Sequence, residues 1–208
     1  MFKGDVVINK VLGISGSPNK NGNTAYAVQY ALTKLKDSGF EIKYISLSHK
    51  FIAPCIGCFK CADDKRCWQK DDMQDIIDAF FWCDGIILGS PVYFGMVSGQ
   101  LKIMMDRCVS IRANYGDTMP MSGKLGGAIA CANSRNGGQE TTLQNLQTFM
   151  LQLNIQVISD GPIFCHSGGT IVGEASKDSW GLETVNNLSN NMGNLMIKNM
   201  NKGALPPL

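Results

Sequence analysis

The chain has 208 residues, 44% apolar and 17% charged, and its 19 basic and 17 acidic side chains leave a net charge of +2. That is enough apolar material for one packed α/β domain and too much for a disordered chain, while so even a charge balance argues against nucleic acid or an anionic membrane as partner. No run of 18 or more apolar residues offers a membrane span, and the opening MFKGDVVINK has no apolar signal core, so a cytoplasmic location is expected.

Apolar runs alternate with helical patterns along the chain, which predicts a parallel sheet covered by helices on both faces. Val6 to Ile14 reads as the first strand. Ala25, Val28, Ala31, Leu32 and Leu35 then recur at helical spacing, with Gly39 as the stop. Glu41 to Leu47 alternates as a second strand. After a cysteine-rich segment, Asp71 or Asp72 is expected to cap a helix with Met73, Ile76, Ile77 and Phe80 on its apolar face. Gly85 to Gly89 is a short apolar strand suited to a buried central position. Ser98 caps the next helix, which carries Leu101, Met104, Met105 and Cys108. Lys124 to Ala132 is a fourth strand, Leu143, Leu146, Met150 and Leu153 a helix face, and Ile155 to Ser159 a fifth strand. Leu182, Val185, Leu188, Met192 and Leu195 mark a last helix. One domain over residues 1–200 is expected, with 201–208 as a frayed tail. Two segments, Ala53 to Lys70 and Asp160 to Lys177, exceed ordinary loop length, and such loops are usually functional.

The first of these long loops holds the most specific feature. Cys55, Cys58, Cys61 and Cys67 lie in the run PCIGCFKCADDKRC, spaced C-x2-C-x2-C-x5-C. A reducing compartment disfavours disulfides, so thiols this dense point to metal or redox chemistry. With only His49 and His166 in the chain, a histidine-based metal site is not expected. Three cysteines at two-residue gaps supply three corners of an iron–sulfur cube, as in bacterial-type ferredoxins, and Cys67 supplies the fourth. Zinc, a thiol/disulfide switch and a cluster-free remnant stand as alternatives, although zinc ribbons use two separated C-x-x-C knuckles. Lys60, Lys65 and Arg66 flank the run as solvated charges, and Trp68 either shields the thiols or packs the loop. Cys83, Cys108, Cys131 and Cys165 are isolated and read as small core residues with no assigned chemistry.

Three other loops follow strands on the edge where α/β sheets bind ligands. Ser15-Gly16-Ser17-Pro18-Asn19-Lys20-Asn21-Gly22-Asn23-Thr24 offers hydroxyls and amides at a helix N-terminus, as phosphate binding requires. It is neither G-x-G-x-x-G nor a Walker A loop, and a plain helix entry has the same composition. Ser90-Pro91-Val92-Tyr93-Phe94-Gly95 offers aromatic surface, and Asn133 to Glu140 is polar and glycine-rich.

The pattern SGSPNKNGNT, then SPVYFGMVSGQLKIMMDR, then Gly-Gly-Gln-Glu, resembles the flavodoxin-like NAD(P)H-dependent FMN reductase superfamily. The cysteine run followed by Asp-Asp-Met resembles its iron–sulfur flavoprotein branch. The resemblance implies a three-layer flavodoxin-like sandwich with a five-stranded parallel sheet in the order 2-1-3-4-5. It implies that Ser15, Ser17, Asn21, Asn23 and Thr24 hold the FMN phosphate. Pro91, Val92, Tyr93, Phe94 and Gly95 would lie along the ring and ribityl chain, and Asn133, Ser134, Arg135, Gly137 and Gly138 would approach the ring. It also implies a [4Fe–4S] cluster on the four clustered cysteines, with no catalytic side chain required. The Asp106-Arg107 pair matches a family feature and reads as structural. NAD(P)H and a ferredoxin-type carrier are the expected electron partners. The long cysteine loop predicts a homodimer or homotetramer in which a cluster faces a neighbouring flavin, with Ile111 to Lys124 and the late loop as contacts. A cluster-free FMN or quinone reductase and a zinc or thiol sensor on the same frame are the competing functions.

Overall fold

The computed structural model describes residues 9–64, 66–112, 119–162 and 164–201. Val6 at the expected start of the first strand, Lys65, residues 113–118 of the expected contact segment and residues 202–208 of the tail lie outside the described residues.

Strand β1 (Lys10–Ser15) leads into α1 (Asn23–Asp37) and β2 (Glu41–Ser46). The cysteine segment contains one short turn of helix, α2 (Cys61–Asp64), before α3 (Met73–Trp82). Strand β3 (Gly85–Pro91), α4 (Gly99–Arg107) and the short α5 (Val109–Arg112) follow. Then come β4 (Leu125–Ala132), α6 (Gln139–Gln152), β5 (Gln156–Val157), β6 (Gly169–Val172) and α7 (Ser179–Asn201).

All pairings between these strands are parallel, in the order β2-β1-β3-β4-β5, with β6 also on β4. β3 is buried from Gly85 to Ser90 and β4 along its whole length, as central strands covered on both faces must be. The two-residue period of a strand then divides the core. Leu12, Ile14, Ile86, Leu88, Ala128 and Ala130 face α3, α4 and α6. Val11, Ile87, Ile129 and Cys131 face α1 and α7. Gly89 lets α1 sit close, since a Cβ there would come 2.4 Å from a methyl of Val28. Fully buried side chains such as Leu12, Phe80 and Ile87 each contribute about 1.5–3 kcal/mol.

The fifth strand departs from expectation. Only Gln156 and Val157 pair with the start of β4, at Leu125 and Gly126. The far half of β4, Ile129 to Ala132, pairs instead with β6, which lies inside the segment read as a loop from Asp160 to Lys177. The edge position is thus filled by two short strands with an excursion between them.

Of the two acids expected at the start of α3, Asp71 accepts the Met73 N–H at 3.1 Å and so caps the first turn. Asp72 occupies the N-cap position but makes no capping bond. Its carboxylate accepts instead from the Phe51 N–H at 2.7 Å and from Lys50 Nζ at 3.1 Å. Ser98 does cap α4, accepting from the Leu101 N–H at 3.3 Å.

Candidate functional site

The strand order reverses between β1 and β3, and a crevice at such a switch point is where open α/β sheets bind ligands. Because the strands are parallel, the loops after β1, β3 and β4 leave from one edge. Direct contacts join them. Ser98 Oγ donates to the Gly16 carbonyl at 2.5 Å, tying the α4 start to the first loop. Thr141 Oγ1 donates to the Gly95 carbonyl at 2.7 Å, tying the first turn of α6, just after the third loop, to the second loop.

In the first loop three side-chain oxygens accept the N–H two residues on. Ser15 Oγ takes Ser17, Ser17 Oγ takes Asn19, and Asn19 Oδ1 takes Asn21, at 3.4, 3.1 and 3.1 Å. These turns curl the chain around the N-terminus of α1 and bury Ser15, Ser17 and Thr24. The Gly22 N-cap gives no side-chain acceptor, and no acid lies in the first turn. The first amides of a 15-residue helix and its dipole are therefore left for an external anion. Asn23 is partly committed elsewhere, since its Oδ1 accepts from the Ala175 N–H at 2.9 Å beyond β6. The sequence gives no sign of that contact.

The second loop is a tight reversal in which Tyr93 bridges Met96. Pro91 ends β3 and the Val92 N–H donates to the Cys131 carbonyl at 2.8 Å. Phe94 and Gly95 both have positive φ, and Phe94 stands fully out in solvent. The third loop runs exposed from Asn133 to Gly137 and is braced from within by buried Gln139. Gln139 donates to the Ser134 carbonyl and accepts the Gly137 N–H, both at 2.9 Å. Gly138 has φ +105, and a Cβ there would come 2.6 Å from Gly95 Cα, so the two loops meet backbone to backbone. Arg135 lines a separate cavity of about 470 Å³ together with Lys177 and Trp180.

The cysteine loop forms its own site. Cys55, Cys58, Cys61 and Cys67 all line one cavity of about 440 Å³, closed by the α4–α5 junction and by Phe149 to Leu153 at the end of α6. Gly57 and Phe59, both at positive φ, produce the coil that carries the thiols. Cys61 is buried, Cys67 half-buried, and Cys55 and Cys58 exposed. The Lys60 backbone N–H and the Trp68 indole, 3.2 Å from Cys58 Sγ, hold the Cys58 thiol below its usual range. Burial, then the neighbouring Cys67, push the Cys61 thiol up. Lys60 lies over the Trp68 ring, and Arg66 pairs with Asp78 on the surface. Among the described residues, no three His, Cys, Asp or Glu side chains converge on a point that one metal ion would occupy. The four cysteines share a cavity rather than one coordination sphere.

The loop is closed at its base by a pair that capping logic missed. Asp71 accepts from Arg107 through both oxygens, at 2.7 and 3.1 Å, with the two side chains 3% and 1% exposed. Asp71 also accepts the N–H groups of Ala53 and Met73. Burial disfavours its charge, but Arg107 and these amides outweigh burial and hold the carboxyl below the usual range. Arg107 reaches on to the Ala53 carbonyl at 2.7 Å. A sequence signal existed, because Arg107 falls at helical spacing among Met104, Cys108 and Ile111 on an otherwise apolar stripe.

Burial raises the remaining core thiols, Cys83 to about 11 and Cys131 to about 12, and pushes Cys108 up as well. These three are buried, as expected of small core residues, whereas Cys165, read the same way, is exposed. His166 is held by Asp160, at 2.8 Å from Nδ1, and stacks on Phe164.

A 2-1-3-4-5 parallel sheet with these three loops at its switch point defines a flavodoxin-like α/β protein. The chain belongs to the NADPH-dependent FMN reductase family, which it matches over residues 9–169, and is an FMN-dependent oxidoreductase of the iron–sulfur flavoprotein branch. It is 46% identical over 183 residues to an iron–sulfur flavoprotein of Methanocaldococcus jannaschii, covering 86% of this chain and 93% of that protein. An iron–sulfur flavoprotein of Methanosarcina thermophila is 37% identical over 176 residues, covering 85% and 89%. Among solved structures, RosB bound to 8-demethyl-8-formylriboflavin-5'-phosphate shares the fold with a TM-score of 0.75 at 13% identity, over 93% of this chain and 81% of that one. A WrbA-like flavodoxin from Agrobacterium tumefaciens does so at 0.64 and 17%, over 92% and 99%. No helix among the described residues is long and apolar enough to cross a membrane.

Proposed function

We propose that this FMN-dependent oxidoreductase carries a [4Fe–4S] cluster on Cys55, Cys58, Cys61 and Cys67 and passes electrons between a one-electron carrier and FMN. The observation that carries the reading is the single cavity lined by all four thiols, with a buried cation in its wall. A zinc ion needs its sulfurs about 2.3 Å from one centre. A cluster gives each thiolate its own iron and spreads the four around a cage. When bound, FMN exchanges one or two electrons and the cluster one, so the pair converts between the two kinds of chemistry.

The chain's own residues bind and orient. Ser15, Ser17, Asn21, Asn23, Thr24 and the uncapped start of α1 suit the FMN phosphate. The 91–95 and 133–138 turns, pinned together at Gly95 and Gly138, form a cradle for the ring in which backbone amides rather than titratable side chains face the flavin. NAD(P)H is the donor suggested by the family, and a ferredoxin-type protein suits the cluster.

Helix α6 starts at the flavin edge with Gln139 and borders the cysteine cavity with Phe149 to Leu153. Ten to fourteen residues at 1.5 Å each separate these points by about 15–21 Å. That spacing favours a homodimer or homotetramer in which the cluster approaches a neighbour's flavin, and the exposed Phe51, Ile56 and Phe59 supply an apolar surface for it. Light scattering on the anaerobically purified protein tests this arrangement, and a strict monomer contradicts it. Rapid mixing with a reduced one-electron donor tests the relay. Wild type should reduce its FMN, whereas Cys61→Ala should lose that route and keep reduction by NAD(P)H. Equal rates in the two proteins contradict the relay.

A further inference from the structure

Among the described residues Arg107 is the largest fully buried side chain, at 1% exposure. A guanidinium in that position is costly unless its N–H groups are matched. The terminal nitrogens are matched. Nη1 donates to the Ala53 carbonyl and to Asp71 Oδ2, both at 2.7 Å. Nη2 donates to Asp71 Oδ1 at 3.1 Å and lies 3.5 Å from the Gln69 carbonyl. Nε is buried and has no partner in the protein. The Asp71 fork fixes the plane of the group, so Nε–H has no freedom to turn to another acceptor. Arg107 also lines the cavity of the four cysteines.

A buried donor with no acceptor, on a rigidly held cation at the wall of an all-sulfur cavity, calls for an anionic sulfur acceptor. We infer that Arg107 is the positioning residue of the cysteine centre. Its terminal nitrogens tie both ends of the 53–70 loop to Asp71, and its Nε–H donates to the Cys67 sulfur when that sulfur is ligated. The assignment rests on the cluster reading above. It goes beyond that reading by making a residue outside the cysteine motif control the potential. An N–H donor and a positive charge beside a ligating sulfur favour the more negative, reduced state of the centre and raise its potential.

The test uses wild type, Arg107→Lys and Arg107→Gln, purified anaerobically with flavin and assayed for iron and sulfide. Reduction of the loaded fraction is then followed by EPR-monitored potentiometry. Lysine keeps the charge and reaches Asp71 but lacks the Nε–H and the fork. The midpoint of the loaded centre is expected to shift to more negative values in both variants, further in Arg107→Gln. A purely structural role would lower the iron content and leave the midpoint of the loaded fraction unchanged, and that result overturns the assignment. Should both variants fail to fold, wild type labelled with 15N at arginine Nε decides by electron–nuclear double resonance. A 15N coupling at the reduced centre is expected, and its absence overturns the assignment. Wild type without iron and sulfide sinks the cluster reading itself and the assignment with it, whereas a loaded wild type with no coupling sinks only the assignment.

Discussion

Replacing Asp71 with Asn tests the closure at the base of the cysteine loop. The substitution keeps the volume and removes the charge. Wild-type Asp71 accepts two bonds from Arg107 and one each from the Ala53 and Met73 N–H groups, and both charged side chains are almost wholly buried. The amide has one acceptor oxygen, and its NH2 faces a donor wherever it turns. Removing one partner of a buried pair costs about 3–5 kcal/mol, because the other charge is left uncompensated. For a chain of this size about 2–4 °C accompanies each kcal/mol, so a fall of about 6–20 °C in the melting temperature is expected. The pH dependence has a definite sign. The folded carboxyl lies below its unfolded value, so its contribution is complete above the unfolded pKa of about 3.9 and is lost as pH falls through the folded value. Urea denaturation of wild type and Asp71→Asn should therefore give a constant gap from pH 5 to 8 that narrows below about pH 4. A loss under about 1 kcal/mol, or a gap unchanged between pH 7 and pH 3, refutes the reasoning.

Gly138→Ala forces a side chain onto a left-handed residue and drives its Cβ against the Gly95 backbone, so it should weaken FMN binding about tenfold. Flavin fluorescence titration of the apoprotein measures this. Cys61→Ser should lose iron and sulfide while retaining FMN, whereas Cys83→Ser, buried in the core away from the cysteine cavity, should retain all three. Metal and sulfide assays on the two variants give the comparison. Trp68→Phe removes the indole N–H from Cys58 and should make the loaded centre more oxygen-sensitive, read as faster bleaching of its visible absorbance in air.

The parallel sheet was legible because each central strand is a short apolar run bounded by turn residues, as at Gly85 to Gly89, whereas its order came only from the family resemblance of the loops. Ser98 was legible as a cap because a small hydroxyl precedes an apolar helical repeat, and its oxygen accepts the Leu101 N–H even while its O–H donates to Gly16. Asp71 was legible at the start of α3, where it accepts the Met73 N–H, but its pairing with Arg107, 36 positions on, was not, and the Asp72 carboxylate is taken by Phe51, 21 positions back. β6 was missed because its four residues fall among glycines and polar residues. The β-branched run Thr170-Ile171-Val172 between Gly169 and Gly173 was the available signal. In the site, the identity of the loops was readable, but their mutual contacts, such as Asn23 with Ala175, depend on tertiary approach and leave no mark in local sequence.

The central claim is that one chain pairs FMN with an iron–sulfur cluster on Cys55, Cys58, Cys61 and Cys67. Anaerobic purification followed by flavin, iron, acid-labile sulfide and zinc analysis tests it most directly. About four irons and four sulfides per chain alongside FMN are predicted. FMN with no iron, or with one zinc per chain, would contradict it.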